Sequence, residues 1–216
     1  MKYKCDYILL IMNCIKYRSK AIWQKNTWLT MLPNNIKYYH VIGDKRICEN
    51  KKVDFFIDES ERILYVNTAD DYNSLPTKVI NSFHAINERF NYKYIFKTDD
   101  DQSLILYDFF NTITKLLNDK TPIPCYGGFK VTVPTHISEY HTVHDCLPKN
   151  LVLEATTYCN GRFYLLHFTA VQYLITKKNE ISNKVIEDHA IGYYLHDDFK
   201  KDMLHFDTKR VFYDAT

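Results

Sequence analysis

Three consecutive carboxylates, Asp99, Asp100 and Asp101, are the residues whose types and spacing most directly suggest chemistry. They directly follow Lys93–Thr98, a short run of aromatic and β-branched residues typical of a buried strand. Ligands of open α/β sheets bind just beyond the carboxyl ends of strands, which is where this triplet falls. Three adjacent negative charges can be buried only with a cation, a partner or water. The triplet is therefore either a solvated acidic turn or a ligand site.

The ligand-site interpretation specifies a hard divalent cation. Alternate residues of an extended segment point to the same side, so Asp99 and Asp101 can converge while Asp100 points elsewhere. Carboxylate oxygens and water suit Mn²⁺ or Mg²⁺, and no Cys or His lies in this turn to favour zinc. Such an ion commonly completes its coordination with a phosphate. The pattern therefore favours a phosphate-bearing substrate.

A second acidic pair, Glu187 and Asp188, begins a predicted helix. The favourable interaction of a helix dipole with negative charge is one sufficient explanation for acids at that position. Positions 191 and 192 are Ile and Gly, however, so neither acid has a basic partner one turn further on. A carboxylate near a metal-bound leaving group can take the proton from an incoming hydroxyl, and Asp188 is our candidate general base.

The histidines and cysteines give weaker signals. His141, His144 and Cys146, with Cys159 as a fourth ligand, match no standard zinc spacing, so packed or surface side chains are favoured. His205 is a lone histidine in a strand-like tail, where an ordinary packed or exposed imidazole is the simpler interpretation. The six cysteines contain no CxxC pair and are expected to be reduced thiols. The nucleotide-binding, serine hydrolase and zinc protease motifs are absent from the sequence.

The elements that must position these residues alternate between strand and helix over the first half of the chain. This alternation predicts an α/β fold with a mostly parallel central sheet flanked by helices, and the length of 216 residues suits a single domain, 1–216. Residues 54–61, rich in acids, are expected to form a short helix or loop, and residues 121–148 strand and loop that cover a site. The remaining predicted strands are 6–14, 37–42, 63–66, 93–98, 163–166 and a short one in 203–213, and the predicted helices are 18–31, 75–90, 107–118, 168–174 and 185–195.

Charge and hydropathy exclude some classes of partner. The net charge is +2 and the basic residues form no track with interleaved aromatics, so nucleic acid is not expected as a partner. The longest early apolar run, 7–12, is too short to span a bilayer, and no cleavage-site pattern follows it. We therefore expect no transmembrane segment and a cytoplasmic location, in the host cytoplasm if the source is viral.

Five sequence blocks, in order over about residues 5–195, resemble glycosyltransferase family 31, the β-1,3-galactosyltransferase and fringe-like group. The Lys93–Asp101 block is similar to the family's "KYxxKTDDD" nearly letter for letter, and it contains the DxD motif. The other four blocks are Arg18-x-x-x-Ile22 with Thr27-Trp28, Asp71 with Leu75-x-x-Lys78, Tyr158-Cys-Asn-Gly161 with Phe163-Tyr164-Leu165, and Glu187-Asp188-His-Ala-Ile-Gly192.

The resemblance implies a GT-A fold, the Rossmann-like fold of nucleotide-diphospho-sugar transferases, and an inverting, metal-dependent sugar transfer. The donor would be a UDP-sugar, most often UDP-galactose or UDP-N-acetylglucosamine, and the acceptor a glycan or glycoprotein, as in protein glycosylation. The implied cofactor is Mn²⁺ or Mg²⁺. The implied roles are Asp188 as catalytic base, Asp99, Asp101 and His205 as metal ligands, Arg18, Thr27, Lys97, Asp99 and Asp100 at the nucleotide, and Glu187 and Gly161 at the substrate.

The chain departs from the family pattern in three ways. The glycine-rich run is reduced to residues 160–163, with Arg162 where a small residue is usual, and His205 is a candidate, without a matching motif, for the family's late metal-binding histidine. The family's membrane anchor and stem are not seen, which suggests a soluble catalytic core. Two other functions therefore stay open: an inactive GT-A domain that binds glycans or acts as a scaffold, and a metal-dependent nucleotidyltransferase or nuclease.

Overall fold

The structure is a computed structural model that describes residues 2–215. Its centre is an eight-stranded sheet in the order β13-β9-β12-β7-β2-β3-β5-β4, and three two-stranded sheets pair β1 with β6, β10 with β11 and β8 with β14. The strands are β1 (Tyr3–Lys4), β2 (Tyr7–Met12), β3 (Ile36–Gly43), β4 (Phe55–Asp58), β5 (Ile63–Val66), β6 (Phe90–Asn91), β7 (Tyr94–Asp99), β8 (Gln102–Leu104), β9 (Tyr126–Val133), β10 (His136–Ile137), β11 (Val152–Leu153), β12 (Thr156–His167), β13 (Leu204–His205) and β14 (Phe212–Asp214).

The centre of the sheet is parallel. Strands β7, β2, β3 and β5 run side by side in the same direction, and every residue of β2 is buried. A strand covered on both faces reads as a continuous apolar run, as the sequence of β2 does. Strand β12 is antiparallel to β7 and to β9, and it carries a register shift between Cys159 and Tyr164. The mostly parallel α/β sheet that the sequence predicts is confirmed.

Helices cover both faces of this sheet. One core contains apolar side chains of α3, α5 and α7, and the other contains those of α4 with Trp28. Helix α3 begins with Pro76 in its first turn, where the missing N–H costs nothing. The helices are α1 (Arg18–Asn26), α2 (Lys45–Lys51), α3 (Leu75–Arg89), α4 (Phe109–Asp119), α5 (Phe168–Thr176), α6 (Lys178–Ser182) and α7 (Glu187–Tyr194).

Two sequence predictions of local structure were wrong. The segment 54–61 contains strand β4, which pairs antiparallel with β5 at the edge of the main sheet. Its acids belong to the ends of the strand, where charge is well tolerated because an edge strand borders solvent. The helix expected over 18–31 ends at Asn26, and a 3₁₀ turn, Trp28–Met31, follows it. None of the helices in residues 2–215 is both long enough and apolar enough to cross a membrane.

Candidate active site

A cleft of about 720 Å³ opens at the carboxyl ends of β2 and β7. Two loops form its far side, one before α3 and one between β10 and β11. The acidic side chains that line the cleft outnumber the basic ones. The acids are Asp70, Asp71, Asp99, Asp100, Asp101, Glu187 and Asp188, and the bases are Lys16, Lys20, Lys78, Lys97 and Arg162.

The carboxylate triplet lies at the turn between β7 and β8. Asp99 is the last residue of β7 and pairs in register with Met12 of β2. The Asp100 N–H donates to the Met12 carbonyl at 3.0 Å, and the Asn13 amide donates to the Asp100 carboxylate at 2.7 Å. The ends of two parallel strands thus hold the triplet at the floor of the cleft.

A buried lysine joins the two acidic motifs. The side chain of Lys97 is 1% exposed, and its Nζ lies 2.8 Å from Asp99 and 3.3 Å from Glu187. It also donates to the Gly161 carbonyl at 2.9 Å. Burial lowers the pKa of this ammonium, but the nearby Asp99 and Glu187 carboxylates outweigh burial and raise it above its ordinary value. Lys97 therefore stays charged and compensates two acids at once.

Four acids of the cleft, Asp99, Asp100, Glu187 and Asp188, have raised pKa values. Partial burial raises the pKa of Asp99 and of Asp100 to about 6, although Lys97 and Lys20, respectively, oppose the shift. Burial also raises the pKa of Glu187, whose carboxylate accepts from the Tyr164 hydroxyl at 2.5 Å. Burial therefore makes the charged form of these carboxylates costly, and a bound cation would stabilise that form.

Asp188 faces the same cleft from the first turn of α7. Its two carboxylate oxygens accept from backbone N–H groups, Oδ2 from Gly161 and Oδ1 from His189, each at 2.8 Å. Burial raises its pKa, and the charge of Lys97 opposes that shift. The carboxylate is thus fixed in orientation and beside the triplet, as a general base requires.

The C-terminal strand reaches the triplet through Arg162. The guanidinium donates to Gln102 at 2.7 Å and lies 2.9 Å from Asp214 of β14. The amide of Gln102 in turn donates to the Asp101 and Asp214 carboxylates, each at 2.8 Å. The residue that departs from the family pattern therefore ties β14 and β8 to the last carboxylate of the triplet.

Lys16, Lys20 and Tyr72 line the cleft although the sequence patterns did not point to them, and His144 was considered only as a zinc ligand. Lys16 and Lys20 both lie over the Tyr17 ring, 5.3 and 5.0 Å from its centroid, on the wall above Asp100. On the opposite side the rings of Tyr72 and His144 stack at 4.1 Å. The four-residue spacing of Lys16 and Lys20, one turn apart at a helix start after the first strand, was an available signal for the basic wall.

Three predicted site residues, Arg18, Thr27 and His205, are not among the residues that line the cleft within 2–215. Arg18 is exposed and two positions from Lys20, which places it on another face of α1. The Thr27 hydroxyl donates to the Trp23 carbonyl at the end of α1. His205, which lies on β13, accepts a hydrogen bond from the Lys130 N–H. Strand β13 lies three strands from β7, a separation of about 14 Å at roughly 4.8 Å per strand.

The cleft offers carboxylates as donors for a metal ion. Among residues 2–215 no three His, Cys, Asp or Glu side chains are grouped to hold a metal ion. Two carboxylates, Asp99 and Asp101, fit an ion that takes its other ligands from substrate phosphates and water, as Mg²⁺ commonly does. The residues therefore fit a shared site, completed by a bound diphosphate.

Comparison with known families and structures gives one assignment along most of the chain. A family model described as Galactosyltransferase matches residues 19–203. No curated protein matches the sequence significantly.

Similar solved structures share the fold at low sequence identity. One is a glycosyltransferase involved in the glycosylation of the major capsid of PBCV-1, with 12% identity, a TM-score of 0.50 and coverage of 94% of this chain and 83% of that one. A putative glucose-1-phosphate thymidylyltransferase from Bacillus anthracis has 10% identity, a TM-score of 0.50 and coverages of 94% and 86%. Residues 1–349 of TarS from S. aureus give 9% identity, a TM-score of 0.50 and coverages of 97% and 60%. The predicted GT-A fold is confirmed.

Proposed function

The chain belongs to the galactosyltransferase family and is a glycosyltransferase with a GT-A fold, and from this premise we propose an inverting, metal-dependent reaction. It moves a hexose or N-acetylhexosamine, most simply galactose or N-acetylglucosamine, from a UDP-sugar to a hydroxyl of a glycan or glycoprotein. One observation carries the proposal. The anchored carboxylate of Asp188 and the Asp99–Asp101 triplet line one cleft, where the Lys97 ammonium and Gly161 backbone connect them.

The basic wall of the cleft supports a diphosphate-bearing donor. Lys16 and Lys20 present two ammonium groups above a floor of carboxylates, and the Tyr17 ring lies between them. A diphosphate placed there would interact with both lysines and approach the triplet. Like-charge repulsion from the acids is the main obstacle, so the donor needs a cation between the carboxylates and its phosphates.

Asp99 and Asp101 would hold that cation, Mn²⁺ or Mg²⁺, which when bound neutralises charge on the departing diphosphate. Asp100 is bonded to Asn13 and belongs to the support of the turn. Lys97 compensates Asp99 and Glu187 from beneath and does not need to contact substrate. The role proposed for His205 is dropped, because it lies three strands away.

Asp188 is the proposed general base. Its oxygens are held by the N–H groups of Gly161 and His189, and the remaining lone pairs are free to accept the acceptor hydroxyl's proton. Burial raises the pKa of Asp188, which strengthens the carboxylate as a base. The hydroxyl attacks the anomeric carbon from the face opposite the diphosphate, which inverts the configuration. Holding both substrates in this geometry supplies much of the rate.

A screen for nucleotide release tests the proposal. Purified protein with Mn²⁺ is incubated with UDP-, GDP- and CDP-sugars and a panel of glycan acceptors. Acceptor-stimulated UDP release that stops on chelation is expected. A parallel reaction supplies nucleoside triphosphates and sugar phosphates, and release of pyrophosphate there would instead indicate a nucleotidyltransferase. No turnover with glycan binding retained would indicate a scaffold.

A further inference from the structure

We propose that Gln24 and His40 form a buried relay that positions the carboxylate turn for cation and diphosphate binding. Neither residue lines the cleft, and both side chains are fully buried. They act through the backbone of the turn and are positioning residues. The inference rests on the proposed function, because the turn matters in this way only if the triplet binds a cation.

The relay starts at the turn itself. The Gln24 amide nitrogen donates to the carbonyl of Asp99 at 3.3 Å and to the carbonyl of Gln102 at 2.9 Å. These two residues are the end of β7 and the start of β8, and they flank the two-residue turn of Asp100 and Asp101. Strand β8 leaves the main sheet to pair with β14, so no ladder bond joins it to β7. One amide from α1 therefore bridges the two ends of the turn.

The second half of the relay fixes the orientation of that amide. Its oxygen lies 3.0 Å from Nε2 of His40 on β3. Because both carbonyls can only accept, the Gln24 nitrogen must face them, and its oxygen must accept from His40. His40 must then carry its proton on Nε2. The geometry thus specifies one tautomer of His40 and one orientation of Gln24.

The other nitrogen of His40 agrees with this assignment. Within residues 2–215, Nδ1 is buried and has no hydrogen-bond partner. A proton there would be an unsatisfied buried donor, and a second proton would leave an unpaired buried charge. Burial accordingly lowers the pKa of His40 to about 3. The buried imidazole therefore makes a single side-chain hydrogen bond among the described residues, the one to Gln24.

The alternative is that the pair is only a buried polar contact between α1 and β3. That role would affect the free energy of unfolding and would leave cation-dependent binding unchanged once the protein is folded. The relay instead requires a selective effect on binding through Asp99 and Asp101. Calorimetric titration of UDP with and without the metal distinguishes the two roles, because only the relay predicts a loss of affinity that depends on the metal.

The test uses the variants Gln24→Met, His40→Leu and His40→Gln. Met fills the volume of Gln24 without donors, Leu removes the donor of His40, and Gln restores a donor near the position of Nε2. Titration of UDP is performed with Mn²⁺ and with chelator. We expect Gln24→Met and His40→Leu to weaken Mn²⁺-dependent UDP affinity by about tenfold, the effect of one lost buried hydrogen bond. Metal-free affinity should change less than about twofold, and His40→Gln should restore binding.

Tyr94→Phe is the matched control, since it removes a buried hydroxyl bond to the Pro124 carbonyl away from the cleft. It should lower the melting temperature without changing either affinity. Wild-type Mn²⁺-dependent affinity in both Gln24→Met and His40→Leu would overturn the relay, as would equal losses with and without metal. If Gln24→Met fails to fold, the comparison of His40→Leu with His40→Gln tests the relay alone.

A readout independent of binding separates this inference from the proposed function. Nitrogen-15 NMR of the wild-type imidazole should show His40 protonated on Nε2 and bare on Nδ1 at neutral pH, and the reverse tautomer would overturn the relay. If the wild type binds no UDP with Mn²⁺, the proposed function fails. Faster amide exchange at Asp100 in Gln24→Met but not in Tyr94→Phe would still support the relay, and unchanged exchange would overturn it.

Discussion

The backbone N–H of Gly161 donates to Oδ2 of Asp188 at 2.8 Å. This bond joins β12, the strand that carries the departure from the family's glycine run, to the proposed general base on α7. A Cβ built on Gly161 would lie 3.4 Å from the same oxygen, so the backbone approaches Asp188 closely without excluding a small side chain. The shortened run thus retains the contact that orients the base.

Replacing Asp188 by Asn should abolish sugar transfer while leaving nucleotide binding nearly intact. Asn keeps the size of the side chain but cannot take a proton, so we expect kcat to fall about 10²–10⁴-fold. Calorimetry with UDP and Mn²⁺ should give a wild-type affinity, because Asp188 is not a proposed cation ligand. Asp119→Asn, at the exposed end of α4, is the control. Full turnover by Asp188→Asn would remove Asp188 from the mechanism.

Replacing Lys97 by Met should destabilise the protein by about 3–5 kcal/mol at neutral pH, because the buried Glu187 and the partly buried Asp99 lose the ammonium group that lies within 3.3 Å of both carboxylates. Without Lys97 the pKa values of Asp99 and Glu187 rise further. Carboxyls with raised folded pKa values contribute stability that is present at low pH and lost as pH rises through those values. The deficit relative to wild type, measured by urea unfolding, should therefore grow from pH 4 to pH 7.

Lys93→Met serves as the matched control, since Lys93 is half exposed and pairs with Asp6 at the surface. It should change the free energy of unfolding by less than about 1 kcal/mol. A Lys97→Met variant as stable as this control at pH 7 would contradict the proposed compensation.

His40 should contribute to the pH dependence of the free energy of unfolding. Its folded pKa, lowered by burial to about 3, lies below the ordinary 6.5, so the unfolded chain binds a proton first as pH falls. Stability from this group is present above pH 6.5 and lost below it, by about 2 kcal/mol at pH 5. The difference in unfolding free energy between wild type and His40→Gln should change by that amount between pH 8 and pH 5. A constant difference would show that His40 titrates normally in the folded state.

Removing the basic wall should weaken nucleotide binding selectively. We expect Lys16→Met with Lys20→Met to lower UDP affinity about tenfold at low ionic strength and less at high salt, because exposed charges are screened. Lys115→Met with Lys120→Met makes the same change in net charge at exposed positions that do not line the cleft, and it should leave affinity unchanged. Equal effects in the two double variants would reduce the role of Lys16 and Lys20 to net charge.

The extent to which the sequence predicts this site depends on the range of the contacts. The triplet after β7 and the acids at the start of α7 are local patterns, and the structure places both in the cleft. The family motif contains Arg18, whereas the phase of a short helix decides which side chain faces the cleft, and Lys20 lines it. The family's late histidine suggests His205, and only the strand order shows that β13 lies at the far edge of the sheet.

Other features could not be predicted because they depend on long-range pairing. The bond from Arg162 to Asp214 requires β14 to return beside β8, a partner more than a hundred positions away. The relay from His40 through Gln24 requires three elements to meet, and neither residue type signals a role at its position. The strand β4 was missed because its flanking acids dominate a short segment at the sheet edge.

Calorimetric titration of UDP into the protein, with and without Mn²⁺, tests the central claim most directly. The account predicts binding that depends on the cation and is lost in a variant with both Asp99→Asn and Asp101→Asn, while Asp119→Asn binds as the wild type does. Binding of equal strength in the presence of Mn²⁺ and of chelator, or binding retained by the double variant, would contradict the assignment of the triplet as the cation and diphosphate site.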